Sequence, residues 1–363
     1  MRILQIVNDL STGGAQTLVA EVSAALGKRH EMGLLVLAAP GPLSERLEAT
    51  VGSVEYLNIP RSSWRVDELV SRVGEATRAF RPDVAHSHLL HADFALALQN
   101  QSIPKVSTVH TSGFASADRV RSRVLARVCA RLAARFSVNV ACSQSSWSYM
   151  EKLGYPMSSS VLIGNGVKVP HSPPPPSSHP SLLCLSRWHP MKDHSTLFEA
   201  LKLVMQAGHR DVRLICAGSG MEPDNEELVG LISSLGLTDV VELRGPVGDV
   251  TPLINQARAL VISSSYGEAL PMAGAEALAQ GRAVVTTDVG SCSRLAVHPW
   301  LTVPRQSPGS LAEAMGRVLG LTPEEAADLC RDAFRLAQEE FDIDITARRY
   351  EELYHRLAEG ATR

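Results

Sequence analysis

Residues 265–276 read S-Y-G-E-A-L-P-M-A-G-A-E, and in this otherwise uncharged stretch Glu268 and Glu276 have seven residues between them. The apolar run Ala259–Ser263 leads into the polar loop that carries Glu268. A helix is expected from near Pro271 to Gly281, because proline suits the first helical position and glycine the position beyond the last turn. Glu268 then stands in a loop at the carboxyl end of a strand, and Glu276 lies more than one turn into the following helix. The carboxyl ends of parallel strands are where open α/β sheets bind ligands, and the free amides of a helix start attract phosphate. Ala269, Leu270, Met272 and Ala273 could offer amides to a diphosphate, while a carboxylate on the helix could accept hydrogen bonds from ribose hydroxyls. The plainer alternative, that Glu276 solvates an alanine-rich helix, carries similar weight from spacing alone.

Other residue types that could do chemistry are weaker signals. Gly13-Gly14 would let backbone amides approach a phosphate, but also serves as a strand-to-helix turn. His110 ends a strand-like run, where an isolated histidine is more often structural. His86, His88 and His91, in H-S-H-L-L-H, have only Asp93 as a nearby acid, and a turn breaks their spacing, so no metal site is expected. Residues 119–135 carry Arg119, Arg121, Arg123, Arg127, Arg131 and Arg135 beside a stripe of Val120, Val124, Val128 and Leu132. That is a basic amphipathic helix, either packed by its apolar edge on the first sheet or resting on an anionic membrane surface.

The elements that must position these groups alternate strand and helix from end to end, which predicts parallel α/β units. Ile3–Val7, Gly33–Leu37, Val84–His86, Lys105–His110, Phe136–Ala141 and Ser160–Ile163 read as the strands of a doubly wound domain over residues 1–170. The stretch V-P-H-S-P-P-P-P-S-S-H-P contains an expected proline-stiffened linker, residues 171–180. The same grammar restarts at Leu182–Ser186 and continues through Val212–Ala217, Val240–Arg244, Ala259–Ser263 and Ala283–Thr287, giving a second domain over 181–340. Residues 341–363 read as a terminal helix with Tyr350 and Tyr354 on one face.

The chain has 363 residues, a formal net charge of −3 and 45% hydrophobic residues. That length suits two domains, and the near-neutral charge provides no global field for nucleic acid. Six scattered cysteines without a Cys-x-x-Cys pair suit reduced core thiols and a cytoplasmic setting. No stretch approaches the length of a membrane span, and the apolar N-terminal run is too short for a signal sequence.

In order along the chain, N-D-L-S-T-G-G-A-Q (Asn8–Gln16), D-V-A-H-S-H (Asp83–His88), S-T-V-H-T (Ser107–Thr111), L-S-R-W-H-P-M-K-D-H (Leu185–His194), A-G-S-G (Ala217–Gly220), L-R-G-P-V (Leu243–Val247), the two spaced glutamates and T-T-D-V-G (Thr286–Gly290) resemble the motifs of retaining GT-B glycosyltransferases, specifically glycosyltransferase family 4. The resemblance spans nearly the whole chain. It implies two Rossmann-like domains facing a central cleft, an acceptor side in the first and a nucleotide-sugar side in the second. The terminal helix would return to the first domain.

By the same resemblance, Arg187 and Lys192 hold the donor diphosphate, His110 and Glu268 contact the transferred sugar, and Glu276 binds the ribose. A fixed guanidinium and ammonium suit the charge that develops on a departing nucleoside diphosphate, so no metal or other cofactor is implied. Gly13, Gly14, Gly218, Arg244, Gly245, Ala269, Leu270, Pro271 and Met272 are the implied donor contacts, with the Leu243–Val247 loop against the base. His88 and Gln16 fall on the acceptor side, and the acceptor would be a glycan, a lipid-linked sugar or a small molecule. Front-face substitution is the mechanism expected of the family, with the leaving phosphate helping to deprotonate the acceptor. After Gly290 the sequence departs from the family pattern, with Ser291-Cys292-Ser293-Arg294 where a glycine and a nearby glutamate are usual. A nucleotide-sugar epimerase on the same fold and a catalytically silent nucleotide-sugar-binding subunit are the alternatives.

Overall fold

The computed structural model describes residues 1–11, 13–60, 65–114 and 120–361. It contains two compact units, one formed by residues 1–166 with 343–363 and the other by residues 167–342. Each is built on one parallel sheet covered by helices.

In the first unit the strands are β1 (Arg2–Val7), β2 (Glu31–Val36), β3 (Ser53–Tyr56), β4 (Val84–His88), β5 (Lys105–Val109), β6 (Val138–Ala141) and β7 (Ser160–Leu162), in the order β3-β2-β1-β4-β5-β6-β7. The central strands are buried along nearly their whole length, which is why they read as continuous apolar runs. The sequence reading missed β3, an edge strand with only half-buried or exposed residues that lacks such a run. The order of strands reverses between β1 and β4, so the loops leaving these two strands meet.

The terminal helix, Ile343–Ala361, belongs to this unit and packs against β4 and the helix Gly14–Leu26. Tyr350 and Tyr354 are 1% and 0% exposed, so the two-tyrosine face is core. Thr346 Oγ1 donates to the Gly164 carbonyl at 2.9 Å and anchors the start of the helix.

The basic helix runs Val120–Leu132, and Arg119 lies outside the described residues. Its inward face differs from the expected valine stripe. Ala126, Cys129 and Ala130 are buried, whereas Val120 and Val124 are 63% and 52% exposed beside the exposed Arg121, Arg127 and Arg131. Small side chains let this helix approach its neighbours closely, and the valines are left outside.

The second unit contains β8 (Ser181–Leu185), β9 (Arg213–Ala217), β10 (Val241–Leu243), β11 (Ala259–Ile262), β12 (Ala283–Thr287) and β13 (Thr302–Val303), in the order β10-β9-β8-β11-β12-β13. β13 has two residues, too few for a recognisable sequence pattern. The reversal here falls between β8 and β11.

The proline stretch expected as an interdomain linker is hydrogen-bonded to this second unit. The buried Arg282 donates to the carbonyls of Pro175 at 2.8 Å and Pro174 at 3.4 Å, and Ser177 Oγ donates to the Gln256 carbonyl at 2.6 Å. Proline removes backbone donors but leaves carbonyls, and a buried guanidinium is suited to collect them. Val167 N donates to the Phe341 carbonyl at 2.7 Å, joining the two ends of the unit. All six cysteines are buried and none forms a disulfide.

Candidate active site

Most of the residues expected at the site gather at the two strand-order reversals. In the second unit, the loop after β8 carries Arg187 and Lys192, and the loop after β11 carries Glu268. Backbone and side-chain bonds sew these loops together: Ser265 N donates to the Met191 carbonyl at 2.8 Å, and Ser263 Oγ to the Lys192 carbonyl at 2.7 Å. Held this way, Lys192 Nζ reaches Glu268 Oε1 at 2.5 Å, and Ser264 Oγ donates to the same oxygen at 2.6 Å. Glu268 is buried and Lys192 mostly so, with side-chain exposures of 8% and 17%. A cation and a carboxylate predicted to serve different parts of a donor therefore meet directly. Arg187 is exposed on the same loop.

Gly218 and Gly220 follow β9 at φ +138° and +83°. A Cβ on Gly218 would collide with the Ser186 carbonyl, and one on Gly220 would press on the Trp188 side chain at 2.5 Å. The β9 loop therefore lies against the Arg187 loop, and a close backbone approach requires the glycines. Trp188 N donates to the Ser219 carbonyl at 2.7 Å across this contact. Gly218 N in turn donates to the Gly245 carbonyl at 2.8 Å, which ties in the β10 loop. Arg244 leaves that loop outward, pairing with Glu242 at 2.5 Å where both side chains are about half exposed.

The helix expected from Pro271 runs Met272–Ala279, with Pro271 at its N-cap position and no side chain capping the first turn. Ala269, Leu270, Pro271 and Met272 are buried, and Glu276 is half-buried on the helix. The departing loop after β12 backs this helix start: Ser291 N donates to the Ala269 carbonyl at 3.2 Å. Arg294 turns the other way, to Glu340 at 2.5 Å and over the Phe341 ring.

In the first unit, the glycine-rich loop after β1 is closed by side chains. Gln16 Nε2 donates to Asp9 Oδ1 at 3.1 Å and to Ser11 Oγ at 3.3 Å, and Ser11 Oγ donates to Asp9. Gly13 has extended backbone, φ −170°, and caps the helix that begins at Gly14. Its conformation does not demand glycine, although a Cβ would meet Gln16 Oε1 at 2.7 Å. Across the reversal, Asn8 Oδ1 accepts from Ala92 N at 2.9 Å, which fastens this loop to the helix after β4.

His88 ends β4 and His110 follows β5, and their rings meet through Nδ1 and Nε2 at 3.0 Å. His88 is 3% exposed, and burial depresses its proton affinity well below the ordinary histidine range. Burial likewise lowers His110 to about 4, so both imidazoles are neutral near pH 7. Leu89, between His88 and the next helix, has φ +75°, a strained position for a branched side chain.

The histidines weighed as a metal cluster are otherwise engaged. His86 Nδ1 and Nε2 meet Tyr354 OH at 2.6 Å and Thr108 Oγ1 at 2.7 Å, while His88 Nε2 meets Gln5 Oε1 at 2.7 Å. Elsewhere, His30, Glu351 and His355 bring ligand-type atoms within 4.8 Å of one another. There Arg29 donates to both Glu351 oxygens, at 2.9 and 2.7 Å, and already neutralises the carboxylate.

Sequence reasoning missed Ser264, Gln5 and Thr108 as partners of these residues, and the contacts of Tyr354 OH with Gln5 and His86. A serine four residues before a glutamate, or a glutamine inside a strand, gives no signal until the fold brings its partner near.

Known proteins agree with this architecture. Residues 12–169 match the profile described as Glycosyltransferase Family 4, and residues 179–320 the one described as Glycosyl transferases group 1. Anabaena HepE, solved in complex with UDP and glucose, superposes with a TM-score of 0.83 over 98% of this chain and 100% of that one, at 22% identity. Sucrose-phosphate synthase from Thermosynechococcus elongatus gives 0.80 over 98% and 99%, at 18% identity. An exopolysaccharide phosphotransferase of Streptomyces coelicolor is 36% identical over 155 residues, which is 41% of this chain and 16% of that much longer protein. Two parallel Rossmann-like sheets, each matched by a glycosyltransferase profile, give the chain the GT-B fold.

Proposed function

We propose that this is a retaining family 4 enzyme that moves a hexosyl group from a UDP- or GDP-linked sugar to an acceptor hydroxyl in glycan, glycolipid or glycoside biosynthesis. The observation that carries the proposal is the Lys192–Glu268 pair at the strand-order reversal of the second sheet. It puts a cation for the diphosphate and a carboxylate for the sugar at one point. Arg187, exposed on the same loop, is the second diphosphate ligand. Glu276 accepts from the ribose, the Gly218 and Arg244-Gly245 loops carry the base, and His110 meets the transferred sugar.

The reaction is a front-face substitution. The bond from the anomeric carbon to the diphosphate oxygen breaks, and the acceptor oxygen attacks from the same face. The acceptor's proton passes to the departing phosphate oxygen. Lys192 and Arg187 stabilise the growing charge without a metal ion, because preorganised cations in a partly desolvated site act strongly on it.

UDP-glucose is the first donor to test, given the ligands named for HepE, and the exopolysaccharide relative points to a polysaccharide acceptor. We also assign the protein to the cytoplasm, where nucleotide-sugars are made. There the exposed Val120 and Val124 and the neighbouring arginines are suited to the anionic membrane surface that carries lipid-linked acceptors. No described helix is long and apolar enough to cross a membrane.

The test is a thermal-shift panel of UDP-, GDP- and ADP-sugars followed by NMR of the anomeric product. Stabilisation by one nucleotide series and retention at the anomeric carbon are expected. Inversion, a glycosyl adduct on Glu268, an epimerised donor, or nucleotide binding without turnover across a broad acceptor set would each overturn the reading.

A further inference from the structure

His110 is the end of a buried hydrogen-bond chain that runs to the terminal helix. Starting there, His110 Nε2 meets His88 Nδ1 at 3.0 Å, and His88 Nε2 meets Gln5 Oε1 at 2.7 Å. Gln5 Nε2 donates to Tyr354 OH at 3.2 Å, and Tyr354 OH meets His86 Nδ1 at 2.6 Å. His86 Nε2 meets Thr108 Oγ1 at 2.7 Å, which meets Tyr350 OH at 3.2 Å. Gln5, His86, His88, Thr108, Tyr350 and Tyr354 are all 3% exposed or less. Away from bulk solvent, each of these groups relies on its neighbour for a hydrogen bond.

The protons in such a chain are not independent. A neutral imidazole has one donor nitrogen and one acceptor nitrogen, and a primary amide has a donor end and an acceptor end. Gln5 turns its carbonyl to His88, so His88 carries its proton on Nε2 and offers a lone pair on Nδ1. His110 must then donate from Nε2, which leaves Nδ1 as its acceptor nitrogen. On the other side, Gln5 donates to Tyr354, whose hydroxyl proton goes to His86 Nδ1. His86 then donates from Nε2 to Thr108. Every step from Gln5 to His110 has one sense, and reversing the Gln5 amide would reverse it.

We infer that Gln5 and Tyr354 are positioning residues that fix His110 in the Nε2–H tautomer, so that His110 presents Nδ1 as a hydrogen-bond acceptor to a hydroxyl of the transferred sugar. The functional half of this inference rests on the glycosyltransferase reading; the tautomer does not. Tyr354 comes from the far end of the chain and Gln5 from the first strand, so the terminal helix contributes to the sugar contact without touching it. The low proton affinity of His110 and His88 supports the assignment, since a doubly protonated ring would break the one-way order.

The experiment is 15N-detected NMR of the histidine rings in the full-length protein, without substrate, at neutral pH. His110 is expected as a single tautomer protonated on Nε2. Gln5→Leu removes the acceptor toward His88 and is expected to give His110 as a mixture of tautomers. Tyr354→Phe removes the group that holds the amide end of Gln5 and gives His110 as a mixture of tautomers. A wild-type His110 protonated on Nδ1 would overturn the inference without any variant, and so would an unmixed Nε2–H signal in a folded Tyr354→Phe protein. Neither readout depends on catalysis, so a failure here is separate from a failure to find sugar transfer.

Discussion

Lys192 Nζ and Glu268 Oε1 are 2.5 Å apart, yet the two residues come from different strand ends, 76 positions apart in the chain. The pair exists because the β8 and β11 loops converge at the reversal of strand order, where no third loop separates them. Such a pair does two things. In the protein alone each charge neutralises the other in a poorly solvated place. In the proposed donor role, an arriving diphosphate would give the ammonium a second partner and leave the carboxylate beside the sugar it carries.

Breaking the pair from the lysine side takes the Lys192 counter-charge from the buried Glu268 carboxylate. Lys192→Met is expected to cost about 3 kcal/mol of stability and to lower transfer about a hundredfold or more. Lys192→Met combined with Glu268→Leu is expected to regain most of the stability and none of the transfer. Urea unfolding of the three variants beside a turnover assay checks this. If the double variant is as unstable as the single, the pair is not what the site balances.

Glu276 and Glu268 separate in a binding experiment. Glu276→Ala removes the acceptor proposed for the ribose, so calorimetry is expected to show free nucleotide and nucleotide-sugar weakened alike, by about tenfold. Glu268→Ala releases Lys192 to the phosphates, so nucleotide affinity holds or rises while transfer is lost. Equal loss of nucleotide affinity in both variants would remove the division of labour.

Gly218 tests the loop contact. Alanine there would adopt φ +138° and also push on the Ser186 carbonyl. Gly218→Ala is expected to lose about 2 to 4 kcal/mol in thermal or urea unfolding and to weaken nucleotide binding, because the Arg187 loop must shift to admit the methyl group. Gly248→Ala is the control. It lies nearby in open space and is expected to change neither.

Much of this was legible in the sequence, and what failed did so for identifiable reasons. Buried parallel strands announce themselves as apolar runs, so β1, β4, β5, β8, β9, β11 and β12 were found. β3 and β13 were missed because an edge strand and a two-residue strand have no such run. The valine stripe of the basic helix left sheet packing and membrane contact both open, because periodicity identifies an apolar face but not what covers it. Spacing placed Glu268 at a strand end correctly. It could not give its contact with Lys192, because that contact depends on strand order, a property of the whole sheet. The same holds for the Gln5–Tyr354 link, which joins the first strand to the last helix.

The histidine cluster of the first unit predicts how stability depends on pH. Burial holds His86 and His88 well below the ordinary histidine range and His91 and His110 at about 4. In the unfolded chain these rings take up protons as pH falls through about 6.5, whereas in the folded protein they stay neutral. The unfolded state then binds more protons, and stability drops as pH falls from about 6.5 toward 4. Asp93 acts against them. Burial raises its carboxyl well above the ordinary range, so it takes up its proton at higher pH when folded than when unfolded, and this favours the folded state as pH falls toward 4. Four histidines outweigh one carboxyl, and each net proton steepens the fall by about 1.4 kcal/mol per pH unit. Urea midpoints measured from about pH 7.5 down to about pH 5 are expected to decline steadily. His110→Asn is expected to make that decline shallower by one proton's worth. A flat profile would mean that these rings charge in the folded protein, and the neutral one-way chain from His110 to Tyr354 could not then persist.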